Sequence, residues 1–72
     1  MIRGSSRRRR GRVTEFDDAA GYGTVADVDG QWFFHCTEIA DGTRTVEPGA
    51  EGDFVLAPGH LGRMEARDIR PA

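Results

Sequence analysis

Three flat side chains in this sequence are spaced to meet on neighbouring extended segments. Tyr22 stands between Gly21 and Gly23, and Phe33 and His35 are two residues apart in the run Trp32-Phe33-Phe34-His35-Cys36. A ring framed by glycines has no adjacent side chain to crowd it, and residues i and i+2 of a strand share a face. Exposed rings of this kind stack on unpaired bases of single-stranded nucleic acid. Phe16 is a fourth candidate ring. The run Arg7, Arg8, Arg9 and Arg10 has the charge for phosphate contacts.

Other chemistry has little to stand on. There is no phosphate-cradling glycine loop with a lysine, and no nucleophile is paired with a base at a recognisable spacing, so catalysis is not expected. His35 and Cys36 are adjacent and His60 is distant, which is not a zinc-ligand spacing. No metal and no cofactor are expected, and Cys36 reads as a small, semi-buried hydrophobe. A single cysteine cannot form an intrachain disulfide, which suits a reducing cytoplasm. No apolar run approaches the ~20 residues of a membrane span, and the start lacks a signal-peptide stretch, so no membrane partner is expected.

The elements that would position these rings are short. Seventy-two residues, 38% hydrophobic and 31% charged, suit one small domain, expected as a monomer. Strand-like runs cover Arg12 to Phe16, Tyr22 to Val28, Gln31 to Cys36, Asp53 to Ala57 and Arg63 to Ile69. Asp29-Gly30 is a hairpin signal and Pro58-Gly59 a turn. Thr37 to Ala40 is long enough for a single helical turn, and a loop-rich connection follows it. Five short strands with one long connection after the third predict an all-β, five-stranded antiparallel barrel of the OB type. Alternation puts Trp32 and Phe34 inside with Val13, Val25, Ile39, Val55 and Ile69, and puts Tyr22, Phe33 and His35 outside. Strict parity would bury Glu15 beside Val13. An unpaired buried carboxylate is costly, so a bulge near Glu15 is expected, turning it out and leaving Phe16 partly on the surface.

Charge divides the chain. Residues 1–10 carry Arg3, Arg7, Arg8, Arg9 and Arg10 and no acid, a charge of +5; residues 11–72 carry −7. The first ten residues lack apolar periodicity and read as a disordered, basic tail, with the barrel over 11–72. The tail could hold phosphates, remain a solvated arm, or fold back and screen the acidic body.

From Gly11 to about Ile69 the chain resembles the cold-shock domain family. That family carries a basic residue and then Trp-Phe on its first strand, Lys-Gly-Phe-Gly-Phe-Ile on its second and Val-Phe-Val-His-Phe on its third. Phe16, Gly21, Tyr22, Gly23, Phe33 and His35 keep this pattern, with Tyr22 in place of a phenylalanine. The resemblance implies base stacking at these rings, with His35 adding stacking or a phosphate contact. Thr14 and Ala20 replace basic residues, while Glu15, Thr24, Cys36 and Thr43 fall where the family has rings. Each base–aromatic stack is worth ~1–3 kcal/mol. Losing about four would remove on the order of 4–12 kcal/mol if the terms added, against ~8 kcal/mol for a micromolar complex. The expectation is weak, low-specificity binding of single-stranded RNA or DNA through Phe16, Tyr22, Phe33, His35 and Arg7 to Arg10. The alternative is a protein-interaction module that meets its partner through the acidic barrel surface.

Overall fold

The computed structural model describes residues 8–40, 42, 45–59 and 62–72. The expectations for Arg7, Thr43 and His60 lie outside them. Five strands form: β1 (Arg9–Asp17), β2 (Tyr22–Asp27), β3 (Gly30–His35), β4 (Glu51–Pro58) and β5 (Met64–Pro71), with a single 3-10 turn at Cys36–Glu38. They close into a barrel in the order β1-β2-β3-β5-β4.

The closure corrects one expectation. Four seams are antiparallel, but β3 and β5 run parallel, paired at Phe33 and Glu65. The reason is parity. Strands that alternate in direction around a closed ring must be even in number, so a ring of five has to contain a parallel seam. This seam is also the shortest, a single residue pair extended by an isolated bridge between Ile39 and Ile69.

The β2–β3 hairpin is tied by Asp27, whose Oδ1 accepts the backbone N–H of Asp29 at 2.8 Å and of Gly30 at 3.2 Å. Such a side-chain turn is what an Asp ahead of a glycine offers. The bulge in β1 lies where it was expected. Val13 pairs with Val25, but the next pair is Glu15 with Thr24, so Thr14 is the extra residue. Both Thr14 and Glu15 are exposed, and Phe16 is half-buried against the core.

The core holds Val13, Val25, Phe34, Ile39, Phe54, Ala66 and Ile69, with Phe16, Trp32, Cys36, Val46 and Leu56 packed around it. Two core expectations change. Trp32 is partly buried, at the hairpin end of the barrel. Val55 is half-buried, and Phe54 takes the interior beside Gly52. Asp53 to Ala57 is nearly all apolar, so alternation alone does not choose a face, and the larger ring gains more from burial. Val55→Ala is therefore expected to cost under about 1 kcal/mol, read as a small shift of the urea midpoint.

β1 starts inside the segment expected to be tail. Arg9 pairs with Phe54 and Arg10 with Asp53 in the β1–β4 ladder, and Arg8 bonds to Asp68. Ion pairs offset the ordering entropy that the absence of apolar side chains would otherwise leave uncompensated. The barrel thus begins before residue 11.

Candidate nucleic-acid interface

The strand register sorts the candidate rings by face. Asp17 lies opposite Tyr22 and Tyr22 opposite His35, giving one row across β1, β2 and β3. Glu15, Thr24 and Phe33 form the next row on that outer face. Between them runs Phe16, Gly23 and Phe34, with both phenylalanine side chains pointing inward.

Tyr22, Phe33 and His35 come together. The Tyr22 and Phe33 centroids are 5.3 Å apart with planes tilted by 36°, and Phe33 meets His35 edge-on at 4.9 Å and 89°. Both arrangements avoid the face-to-face repulsion of ring quadrupoles. Tyr22 is 44% exposed, His35 is exposed, and Phe33 between them is half-buried. The result is one ridge of three touching rings on the outer face.

The turn before β2 delivers Tyr22 to this ridge. Asp17 accepts the Ala20 N–H on its side chain at 3.0 Å and the Gly21 N–H on its carbonyl at 2.8 Å. Gly21 adopts φ +81°, a conformation that side chains disfavour, and its carbonyl accepts the Cys36 N–H at 2.8 Å. Gly23 has a different reason to be glycine. A Cβ there would run into the Glu15 carbonyl oxygen and come within 3.0 Å of the Phe16 ring. The glycine framing read as clearance around Tyr22 is therefore, at Gly23, clearance inside the barrel.

Phe16 does not join the ridge. Its ring lies parallel to Phe34, 5.9 Å away with an 8° interplanar angle, on the inward row. The bulge that turns Glu15 outward turns the next residue inward, so Phe16 lies half-buried against the core and outside the Tyr22–Phe33–His35 ridge.

The arginine run is also placed differently. Arg8 Nη1 lies 3.0 Å from Asp68 Oδ2, and its Nη2 donates to the Asp68 carbonyl at 2.8 Å. Arg9 lies 3.0 Å from Asp27 and 2.7 Å from Asp29, with its guanidinium 5.9 Å from the Trp32 ring centre. Arg10 is within 3.8 Å of Glu51 and 3.7 Å of Asp53. These three arginines fold onto the acidic barrel and screen it, and Arg9 caps the hairpin end, away from Tyr22 and His35.

One candidate residue escaped the sequence reading. A groove of about 500 Å³ beside Phe33 is lined by Thr24, Gln31, Phe33, Arg63, Met64 and Glu65. Arg63 is exposed, and among the described residues it is the arginine with no acidic partner; Arg8, Arg9, Arg10, Arg12, Arg67 and Arg70 are all paired. In the sequence it is one arginine among ten, and only the fold separates it from the others. Cys36 is half-buried against the core, as expected of a small hydrophobe.

No protein-family model and no curated protein matches the sequence. Among solved structures the chain is similar to Drosophila Unr CSD456, with 25% identity, a TM-score of 0.74 and 90% of this chain covered. It spans about a quarter of that longer chain, 26%. That likeness, with five strands closed in this order around the rings of β2 and β3, gives the chain the fold of a cold-shock, OB-type domain.

Proposed function

We propose that this domain binds single-stranded nucleic acid weakly, as a monomer, by stacking bases on Tyr22, Phe33 and His35. The observation that carries the reading is the continuous three-ring ridge on the outer face. Its similarity to Unr CSD456 supports it. Stacking on a ridge accepts any base, since every base has a π-face, and it gives little sequence preference by itself. Arg63 is the described cation best placed for a phosphate beside the ridge. Weakness follows from the substitutions on the same face: Thr24 stands in the ring row, and Glu15, Asp17 and Asp18 are exposed close by. Those acids are also what favours the competing reading, a protein partner with a basic surface.

A titration with a single-stranded oligonucleotide at low salt, followed by amide NMR, tests the proposal. Shifts are expected at Tyr22, Phe33 and His35 and not around Arg10 and Glu51. Glu15→Trp should tighten binding by about 1 kcal/mol, roughly fivefold, because it adds a ring in the Phe33 row and removes a repelling carboxylate. No shift with any oligonucleotide would overturn the reading.

A further inference from the structure

The hairpin end of the barrel carries a second surface, away from the ridge. Val28, at the tip of the β2–β3 turn, is 99% exposed. Turn tips usually take glycine, asparagine, aspartate or serine, and a valine there does nothing for the turn. Nor is the tip loose. Asp27 ties the N–H groups of Asp29 and Gly30, and Arg9 braces Asp27 and Asp29. Val28 is therefore an aliphatic knob on a rigid mount, and covering it costs little ordering entropy. Beside it runs a groove of about 330 Å³, lined by Arg10, Gly11, Arg12, Ala26 and Glu51. Its two arginines have donors to spare. Arg12 donates from Nη2 to Glu51 Oε2 at 2.6 Å. Arg10 lies 3.8 Å from Glu51 and 3.7 Å from Asp53, beyond hydrogen-bond reach. A guanidinium has five N–H donors in a fork that fits a carboxylate. Asp27 also borders the groove, but its carboxylate is covered and matched by Arg9. The exposed lining is thus two arginines against one glutamate, on an otherwise acidic body.

We propose that this groove docks a short acidic peptide, with a carboxylate on Arg10 and Arg12 and a neighbouring aliphatic side chain over Val28 and Ala26. The volume is at the small end for a binding pocket and suits one or two side chains, not a folded partner. Val28 decides between a peptide and a nucleic acid. A nucleic-acid backbone brings phosphates but no aliphatic surface to cover the knob, and a valine offers a base no π-face for stacking. The site is independent of the ridge. The Asp27–Gly30 pair lies five ladder steps from Tyr22–His35, roughly 17 Å along the strands. Both surfaces can therefore be occupied at once, one by each kind of partner.

The test is an amide NMR titration of the full chain with three capped hexapeptides, alternating glutamate and leucine, glutamate and serine, or lysine and leucine. Val28→Ser, Arg10→Gln and Arg12→Gln are titrated alongside. All three positions are exposed, so the variants should keep the fold, checked by the dispersion of amide signals. The glutamate–leucine peptide is expected to shift Arg12, Ala26 and Val28 and to leave Tyr22, Phe33 and His35 unmoved. It should bind about fivefold or more tighter than either of the others, and each variant should weaken it by about the same factor. Absence of shifts with the glutamate–leucine peptide overturns the proposal. So does equal affinity for the lysine–leucine peptide, or an affinity that survives Val28→Ser. A thymidine hexamer that moves the same amides assigns the groove to nucleic acid and overturns it as well. The ridge is tested by oligonucleotide shifts at its own rings, and no result with these peptides bears on it.

Discussion

Arg9→Gln is expected to destabilise the barrel by about 2–3 kcal/mol, because it strands a buried carboxylate. The Asp27 side chain is 3% exposed; its Oδ1 serves the hairpin N–H groups, and Arg9 meets its Oδ2. Glutamine lacks the charge, leaving the covered Asp27 carboxylate with its hairpin N–H donors but without a cation. The cation over the Trp32 ring is lost in the same step. For a domain of this size each kcal/mol moves the melting temperature by ~4–8 °C, so a drop of roughly 10–20 °C is expected in a thermal melt. Arg12→Gln is the control. Its pair with Glu51 is shorter, 2.6 Å, but the two side chains are 62% and 49% exposed. Water screens such a pair, and its loss should cost less than about 1 kcal/mol. If Arg9→Gln instead melts like the unmodified chain and loses salt-dependent oligonucleotide binding, the arginine run is a phosphate grip after all.

Phe33→Ala is expected to weaken single-strand binding by ~1–3 kcal/mol, between about fivefold and a hundredfold. Phe33 is the centre of the ridge, in contact with Tyr22 on one side and His35 on the other. Removing it deletes one stacking face and lets its two neighbours drift, so its effect should exceed that of Tyr22→Ala. The fold should survive, because Phe33 lies on the outer face and is absent from the core cluster. Calorimetric titration at low salt, with a melt of the variant alongside, separates the two effects. Unchanged affinity in both Phe33→Ala and Tyr22→Ala would point to a protein partner.

Much of this was legible in the sequence, for identifiable reasons. Parity in Gln31 to Cys36 is unambiguous, so Phe34 inside and Phe33 and His35 outside follow directly. Glu15 revealed the bulge because a carboxylate beside Val13 was too costly to accept. The failures are equally physical. Val55 was preferred to Phe54 because a continuous apolar run carries no period. Phe16 is partly on the surface as expected, but it was grouped with the outward rings because the parity after the bulge was not followed one residue further. Arg8, Arg9 and Arg10 read as tail because their stabilising partners, Asp68, Asp27, Asp29, Glu51 and Asp53, are 18 or more residues away and recognisable only after folding. The parallel seam needed no structure at all: counting five strands in a closed ring was enough.

That seam makes the barrel unevenly latched. Around most of the ring several ladder pairs would have to break together, but between β3 and β5 the stitch is Phe33 with Glu65 and the bridge of Ile39 with Ile69. Sub-global opening concentrates where the fewest bonds must break, so the amides bonded across the β3–β5 join should exchange with solvent before those of the β1–β2 and β4–β5 ladders. The groove straddles this same join, with Phe33 on one side and Arg63 and Met64 on the other. A nucleotide seated there would act as a clip across the weakest joint, since any species that favours the closed form shifts the opening equilibrium by RT ln(1 + [L]/Kd). Occupancy of the ridge and slow exchange at the β3–β5 join would then be a single equilibrium observed from two ends.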